Sequence, residues 1–566
     1  MREDNLRILE EGRRKRPSGG ATLRALEKLR AAPFGAPAEF ARLHEALLFH
    51  AAYPESARVR RLSLQILKRL AREVPARLDA GEDSSDLDAP EIAGIAGTSI
   101  GTTFTYDFLR GLAARHPDAV RIDWDALEAE DRLGATLPRF VPLLEEEALA
   151  DANVPYRVWL AAARGRQAEL PWILRRFDAL ALSPRDRAEL FDGLALPVLW
   201  KLSGPASRTL ARLTEAESEA DAEAPPFLHA KPLLARRDVN VASEMDGPPM
   251  PLRRVSEREG LRRLDFARDA NGARYRELYG FTYGDPATVR VADAGRGCEI
   301  TLFGLPPGRR LPLRAGYAAF VTKNGIPVAY VEGLALFERI EVGFNVYYTF
   351  REGESGWIYA RVMKLFRQVL NVTSFSIDPY QIGFENEEAV ASGAFWFYRK
   401  LGFRSTSPEL RDATEREEEK LARHAGRRTP ARLLRKLAER NLLFDAGSEN
   451  PEWDRFHVRR LGIAVNERMA RRFRSDSQFL QSAAVARVSD LLDANLESWP
   501  AERRRVTMGL VLLLDRIPDL RQWSEAEKKA AVAILRAKSA REEDAYLRRM
   551  QRHRRFREAV IRLGSE

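Results

Sequence analysis

The run FNVYYTFREGESGWIYARVMKLF joins a segment typical of a strand to a segment typical of an amphipathic helix through a short loop. Ser355 and Gly356 lie where the helix is expected to begin. The first N–H groups of a helix have no acceptor within it and carry partial positive charge, so this helix start can bind an anion such as a diphosphate. Glu352 and Glu354 bring negative charge to the loop, and anion binding therefore requires their side chains to point to the solvent.

The run ASGAFWFYRKLGF places Tyr398 among other aromatic side chains. Its apolar spacing predicts a helix, and Gly402 stands where a glycine commonly ends one. A tyrosine in such a dense aromatic segment is typical of a buried core. Tyr398 is therefore a candidate for core packing as well as for chemistry.

Strands must position these two runs. Three segments are dense in β-branched and aromatic residues, namely GCEITLFGL, AGYAAFVTKNGIPVAYVEGLALF and IEVGFNVYYTF. Asn324-Gly325 predicts a tight turn of an antiparallel hairpin within the second segment. A helix, the short strand-like SFSID and another helix follow. This order predicts an α/β or α+β domain around a central mixed sheet.

Both runs resemble motifs of the GNAT (N-acetyltransferase) superfamily, whose members move an acyl group from coenzyme A to an amine. The first is similar to the family's fourth strand, pyrophosphate loop and following helix, with a loop of the form Arg/Gln-x-x-Gly-x-Gly/Ala. Arg351 matches its first position and Gly356 its last, whereas Glu354 replaces the middle glycine and Gly353 is displaced by one. The second is similar to the family's last helix and the turn that follows it.

The resemblance implies an acyl-CoA N-acyltransferase-like central domain that uses acetyl-CoA, and it assigns roles to residues. Tyr398 is expected to protonate the departing thiolate. Glu332 and Glu341, on strands expected to border the acceptor cleft, are candidate bases that deprotonate the amine through water. The residues expected to bind the donor are Val346, Arg351, Gly353, Ser355, Gly356, Trp357 and Asn386. Those expected to line the acceptor site are Asn345, Tyr347 and Tyr348.

The same residues have structural alternatives. Arg351 can pair with Glu352 or Glu354 on the surface. The acidic residues of the strands are expected equally at solvent-facing positions, because side chains alternate between the two faces. Strand propensity alone accounts for the tyrosines.

Changes of composition and periodicity predict four regions. Residues 1–215 are predicted to be helical, and the helical pattern includes a run from Arg185 to Leu202. Residues 216–255 are predicted to be an acidic, Pro-rich linker. Residues 256–410 form the acyltransferase-like domain, and residues 411–566 return to helical, basic sequence. Both flanking regions are expected to be all-α.

The bulk composition favours a folded, soluble, cytoplasmic protein. Of the 566 residues, 45% are hydrophobic and 31% charged, which is typical of a globular chain. Cys298 is the single cysteine, so an intrachain disulfide and a thiolate-rich zinc site are excluded, and the scattered histidines do not predict a metal site. The N-terminus lacks the apolar stretch of a secretory signal, and the apolar runs are shorter than a membrane helix requires.

The net charge of +10 permits a nucleic-acid partner but does not favour one, because 82 acidic residues stand against 92 basic residues. The leading hypothesis is an N-acyltransferase, most simply an acetyltransferase, acting on an amine of unknown class. Two alternatives are a tRNA-dependent aminoacyl transferase of similar fold and a catalytically silent GNAT-fold scaffold. In the second alternative, the helical arms would bind a protein partner or nucleic acid.

Overall fold

The computed structural model describes residues 2–14, 20–83, 85–142, 156–213, 227–424, 426–447 and 450–565. Residues 216–226 of the predicted linker lie outside these ranges. The chain divides into two compact units. The first comprises Met1–Ala230, Arg263–Thr282 and Asn324–Pro327, and the second comprises Lys231–Arg262, Tyr283–Lys323 and Val328–Glu566.

The first unit is mainly helical in its described part. Its helices up to residue 192 are α1 (Arg2–Arg14), α2 (Ala21–Ala31), α3 (Pro37–Ala52), α4 (Ala57–Asp79), α5 (Tyr106–Arg115), α6 (Glu130–Thr136), α7 (Tyr156–Arg164), α8 (Glu169–Asp178) and α9 (Pro184–Asp192). Its strands are β1 (Ser99–Thr103), β2 (Val120–Ile122) and β3 (Pro197–Lys201). They form an antiparallel sheet in the order β1–β3–β2.

This small sheet corrects the prediction that residues 1–215 are all-α. The run from Arg185 to Leu202 was predicted to be helical throughout, but α9 ends at Asp192 and β3 follows. Val198 and Trp200 are buried and Lys201 is exposed, which is the two-residue period of a strand. A short apolar run fits a helix or a strand equally well, and pairing with β1 and β2 decides for the strand.

The second unit is built on a mixed sheet. The strands of that sheet are β4 (Leu252–Arg254), β5 (Arg290–Gly295), β6 (Cys298–Phe303), β7 (Ala315–Lys323), β8 (Ile326–Leu336), β9 (Arg339–Val346), β10 (Ser374–Ile377), β11 (Arg404–Ser405) and β12 (Leu442–Asp445). Their order is β11–β12–β10–β9–β8–β7–β6–β5–β4. β9 runs antiparallel to β8 and parallel to β10.

The helices that accompany this sheet in the chain lie before, between and after its strands. The first group is α10 (Val241–Asp246), α11 (Glu257–Gly272) and α12 (Tyr279–Thr282), of which α11 in part and α12 belong to the first unit. The second is α13 (Ser355–Leu370), α14 (Pro379–Ile382), α15 (Glu387–Ser392), α16 (Ala394–Arg399), α17 (Pro408–Arg423) and α18 (Ala431–Leu437). The third is α19 (Val458–Phe473), α20 (Ser477–Leu492), α21 (Ala501–Asp515), α22 (Glu525–Lys538), α23 (Asp544–Arg552) and α24 (Arg554–Ser565).

The predicted mixed α/β architecture, with a central sheet and flanking helices, is confirmed. The sheet does not end before residue 410, because β12 lies in the region predicted to be all-α. β12 pairs antiparallel with both β10 and β11, and Leu442 and Leu443 are buried between them. Four residues are too few to show a period in the sequence, so their strand pairing depends on these distant neighbours.

The predicted hairpin turn is present between β7 and β8. Asn324 and Gly325 both have positive φ, 48° and 76°, as the favoured two-residue hairpin turn requires. Across the described residues, no helix combines the length and the apolar character needed to cross a bilayer.

Candidate functional site

The parallel pairing of β9 with β10 ends well before β9 does. Their register joins Arg339, Ile340 and Glu341 to Ser374, Phe375 and Ser376. β9 then continues to Val346, still paired with β8, whereas β10 ends at Ile377. The last five residues of β9 therefore extend beyond the register with β10, and the loop to α13 follows from their end.

Helix α13 begins at Ser355, as predicted. Gly353 lies in the preceding loop, where its N–H donates to the Phe350 carbonyl at 2.9 Å. The Ile358 N–H donates to the Glu354 carbonyl at 2.9 Å and is the first hydrogen bond of the helical ladder. The N–H groups from Ser355 to Trp357 precede that bond and have no acceptor within the helix.

Glu354 turns into the protein interior, and two cations neutralise it. Its side chain is fully buried, 2.8 Å from the ammonium of Lys323, and it also accepts hydrogen bonds from the Arg296 guanidinium. The Leu234 N–H donates to the same carboxylate at 3.2 Å. The acidic side chain therefore lies in the interior and does not point to the solvent, so paired cations offset its charge instead of solvent exposure. One carboxylate is thus in contact with two cationic side chains.

Sequence reasoning missed Lys323 and Arg296. Lys323 is the last residue of β7, and Arg296 lies in the turn between β5 and β6. A lysine directly before the Asn324-Gly325 turn is unremarkable in the sequence. Strand order alone brings these cations to the start of α13.

Further cations surround the first turn of α13. The ring of Trp357, which is buried, has the Lys323 ammonium 5.0 Å and the Arg361 guanidinium 5.2 Å from its centroid. Gly356 is covered on one flank, because a Cβ at this position would lie 3.3 Å from Cγ of Arg236. Arg236 in turn lies over the Phe397 ring, at 5.8 Å.

Arg351 and Asn386, both expected to bind the donor, make local contacts. Arg351 pairs with Glu388 at 2.7 Å instead of Glu352 or Glu354, and its guanidinium stacks 3.9 Å from the Tyr348 ring. The Asn386 side chain caps α15 by accepting the Ala389 N–H at 3.1 Å. Its amide group donates to the Tyr380 carbonyl at 3.0 Å.

Tyr398 lies in an aromatic cluster on the face of the sheet that carries α13. The members of this cluster are Phe344, Tyr359, Phe397, Tyr398 and Phe403. Tyr398 is 3% exposed, and burial raises the pKa of its phenol far above the usual range. The ring of Tyr359 lies 5.5 Å from that of Tyr398. Within the described residues, the buried Tyr359 hydroxyl has no hydrogen-bond partner.

The candidate bases lie on the opposite face of the sheet. On β9, Glu341, Gly343 and Asn345 alternate with Phe344 and its neighbours, which face α13. Glu332 stands directly across from Gly343, so it shares the face of Glu341. The structure therefore groups Glu332, Glu341 and Asn345, and it separates them from Tyr398.

The remaining predicted positions lie at the end of β9. Val346 pairs with Ala329 on the α13 face of the sheet. Tyr347 is buried, and its ring is 6.0 Å from that of Tyr330. Tyr348 stacks on Arg351, as described above, and so contributes to the loop.

A cavity of about 540 Å³ opens on the Glu341 face. Its walls include Leu334 of β8, Arg339 and Glu341 of β9, Tyr380 after β10, and His457. The Glu341 carboxylate accepts a hydrogen bond from the Arg314 guanidinium at 3.1 Å. A partly exposed carboxylate in a cavity of this size can accept a proton from a bound amine.

Comparison of the chain with protein-family models, with curated proteins and with solved structures finds no match. In the described part of the chain, no group of three or more His, Cys, Asp or Glu side chains is arranged to hold a metal ion. The thiol of Cys298 is buried near Lys323 and Glu354. Burial raises its pKa to about 12, so it stays protonated at neutral pH.

Proposed function

We propose that the second unit is an N-acyltransferase that moves an acyl group, most simply acetyl, from a coenzyme A thioester to an amine. The observation that carries the proposal is the start of α13, where Glu354 is turned inward and outnumbered by cations. The resemblance to the GNAT superfamily assigns the donor's pyrophosphate to this helix start. Its first N–H groups, which have no acceptor within the helix, and the cations beside it both favour a bound diphosphate.

The end of the β9–β10 register supports the same function. Beyond Glu341, β9 continues without β10 as a partner to the loop before α13. Val346 lies five positions after Glu341 on β9, which at about 3.3 Å per residue is about 17 Å. The extended pantetheine arm of coenzyme A can cross such a distance, so a donor anchored at α13 can present its thioester near the cavity.

The acceptor reacts as a neutral amine, so a bound ammonium first loses one proton to the solvent, and the transfer itself then carries one further proton from nitrogen to sulfur. The amine nitrogen attacks the thioester carbonyl carbon, the C–N bond forms and the C–S bond breaks, giving an amide and a thiolate. Glu341 accepts the proton that the nitrogen loses and passes it through water to the thiolate, which leaves as the thiol of coenzyme A. The raised pKa of Tyr398 makes it a poor proton donor but keeps its hydroxyl able to donate a hydrogen bond to the departing sulfur.

Donor binding is tested by calorimetric titration of the full chain with coenzyme A and acetyl-CoA. The variant Ser355→Asp places a carboxylate at the first position of α13, where it repels the diphosphate. Ser477→Asp is the matched control, because Ser477 opens α20, another helix of 16 residues. We expect binding by the natural chain and by the control, and at least tenfold weaker binding by Ser355→Asp. Equal affinity of the two variants, or no binding by the natural chain, would contradict the proposal.

A catalytically silent scaffold of the same fold is the second candidate. It is favoured by the burial of Tyr398 in the aromatic cluster and by the cover that Arg236 gives to Gly356. The two candidates differ in turnover. Release of free thiol from acetyl-CoA in the presence of a mixture of amines supports the transferase, and binding of coenzyme A without thiol release supports the scaffold.

A further inference from the structure

The cavity beside β9 is lined by charged side chains of both signs. Among the described residues, arginines and acidic side chains line it in equal number. A cavity that binds a ligand whose only charged group is an amine needs carboxylates to pair with it and does not need arginines. The arginines therefore require a separate explanation.

Arg339 is the most deeply buried of the arginines. Its side chain is on the cavity wall although the residue is 8% exposed. It donates to the carbonyls of Trp453 and Phe456, at 3.2 and 3.4 Å, and no carboxylate of the described residues lies within 4 Å of it. Burial lowers its pKa to about 10, so it stays charged at neutral pH. It also lies over the Trp453 and Phe456 rings and is attracted by Glu341 at longer range. An anion in the cavity would give this buried guanidinium a carboxylate-like partner in direct contact.

More positive charge lies beside Arg339. His457 is on the same wall, and Arg440 and Arg459 complete this end of the cavity. After burial, the arginines around His457, including these three, are what lower the pKa of its imidazole. Glu439 also lines the cavity, but the charged groups that act on His457 are arginines. Glu341 offers a carboxylate that is already paired with Arg314 but remains partly exposed.

We infer that the acceptor is a small zwitterionic amine of the amino-acid type, with its anionic group held by Arg339 and its nitrogen at Glu341. Both residues lie on the same face of β9, two positions apart, which is about 7 Å. A molecule whose amine and anionic group are a few bonds apart spans this distance. The apolar side chain of Leu334 lines the same cavity and suits an aliphatic substituent. The role as acceptor rests on the proposed function, whereas the binding of a zwitterion does not.

The test uses three ligands with one side chain and different head groups. They are leucine, its phosphonate analogue, and isoamylamine, which lacks the anionic group. Calorimetric titration of the full chain, without any thioester donor, is expected to show leucine or the phosphonate binding at least tenfold more tightly than isoamylamine. The order of the first two ligands tells whether the anion is a carboxylate or a phosphoryl group. Equal affinity of all three, or no binding of either anionic ligand at 50 mM, overturns the inference.

Two double variants show whether the binding is at this cavity. Arg440→Ala/Arg459→Ala removes two exposed arginines from its rim, and Arg471→Ala/Arg472→Ala removes two exposed arginines from the far end of α19. Both change the net charge equally and leave the carbonyl contacts of Arg339 in place. We expect the first to weaken leucine binding at least fivefold and the second to leave it unchanged; equal effects overturn the assignment.

This test and the coenzyme A titration fail separately. Donor binding without leucine binding leaves the transferase proposal standing with another class of acceptor. Leucine binding without donor binding leaves a zwitterion site in a protein that is not this transferase.

Discussion

The two faces of the sheet around β9 have opposite chemistry. On the face that carries α13, Phe344 packs against aromatic rings that are nearly all buried. On the other face, Arg339 and Glu341 line a charged cavity. One strand supplies both, because successive side chains point to opposite sides. The comparison teaches that the aromatic face is built for packing and the charged face has room for a ligand.

The comparison also divides the predicted catalytic residues. Tyr398 belongs to the packed face, and Glu332 and Glu341 belong to the charged face. A hydrogen-bond donor and a base on opposite faces can act on one substrate here only where β9 extends beyond its register with β10. The following predictions test how far the difference between the faces extends.

The largest effect is expected from removing an aromatic ring of the packed face. Phe403→Ala deletes a fully buried ring and should lower the free energy of unfolding by about 3–5 kcal/mol. Phe384→Ala is the matched change at the cavity rim, where the ring is 40% exposed, and should cost about 0.5 kcal/mol or less. Urea denaturation followed by tryptophan fluorescence measures both. Similar losses would show that the cavity face is as tightly packed as the aromatic face.

The buried ion pair near the start of α13 should behave differently from the rings. Lys323→Met leaves Glu354 buried with Arg296 as its remaining cation, and we expect a loss of about 3 kcal/mol. Lys323→Met/Glu354→Gln removes the stranded charge and should recover more than half of that loss. The same denaturation experiment applies. If the double variant is as unstable as the single one, Lys323 and Glu354 stabilise the unit through more than the neutralisation of each other's charge.

Substitutions of the two tyrosines of the packed face should affect stability and turnover separately. Tyr359→Phe removes a buried hydroxyl without a partner and should stabilise the unit by about 1 kcal/mol. Tyr398→Phe should lower acyl transfer about 100-fold while leaving coenzyme A affinity unchanged, if its hydroxyl assists the departing thiolate. Unfolding measurements and thiol-release rates on both variants check this. Unchanged turnover in Tyr398→Phe would assign Tyr398 to packing.

The smallest effect is expected from pH at the charged face. Burial, followed by the nearby arginines, lowers the pKa of His457 in the folded chain. As the pH falls, His457 therefore binds a proton in the unfolded chain before it does so in the folded chain. The stabilisation from neutral His457 is complete above about pH 6.5 and is lost as the pH falls below it. His457→Gln should reduce the drop in the urea midpoint between pH 7.5 and 5.5, whereas the exposed His424→Gln should not. Parallel pH profiles of the natural chain and His457→Gln would refute this contribution.

Local features of the site could be predicted because they depend on near neighbours in the chain. The Asn324-Gly325 turn and the start of α13 at Ser355 follow from backbone preference and periodicity. Contact partners could not be predicted in the same way. Arg351 was expected beside Glu352 or Glu354 and instead meets Glu388, which is brought there by the loop after β10.

By itself the sequence indicated a central mixed sheet, the Asn324-Gly325 hairpin and the helix that begins at Ser355. It placed Tyr347 and Tyr348 in a strand that ends at Val346, and Asn386 on the helix of Tyr398, which is a separate helix. The tertiary structure alone decided that Lys323 and Arg296 neutralise Glu354, that β12 enters the sheet, and that a charged cavity forms beside Glu341. The physical reason is the range of the interactions. Periodicity and turn chemistry act within a few residues, whereas strand order and the pairing of buried charges join residues that are distant in the chain.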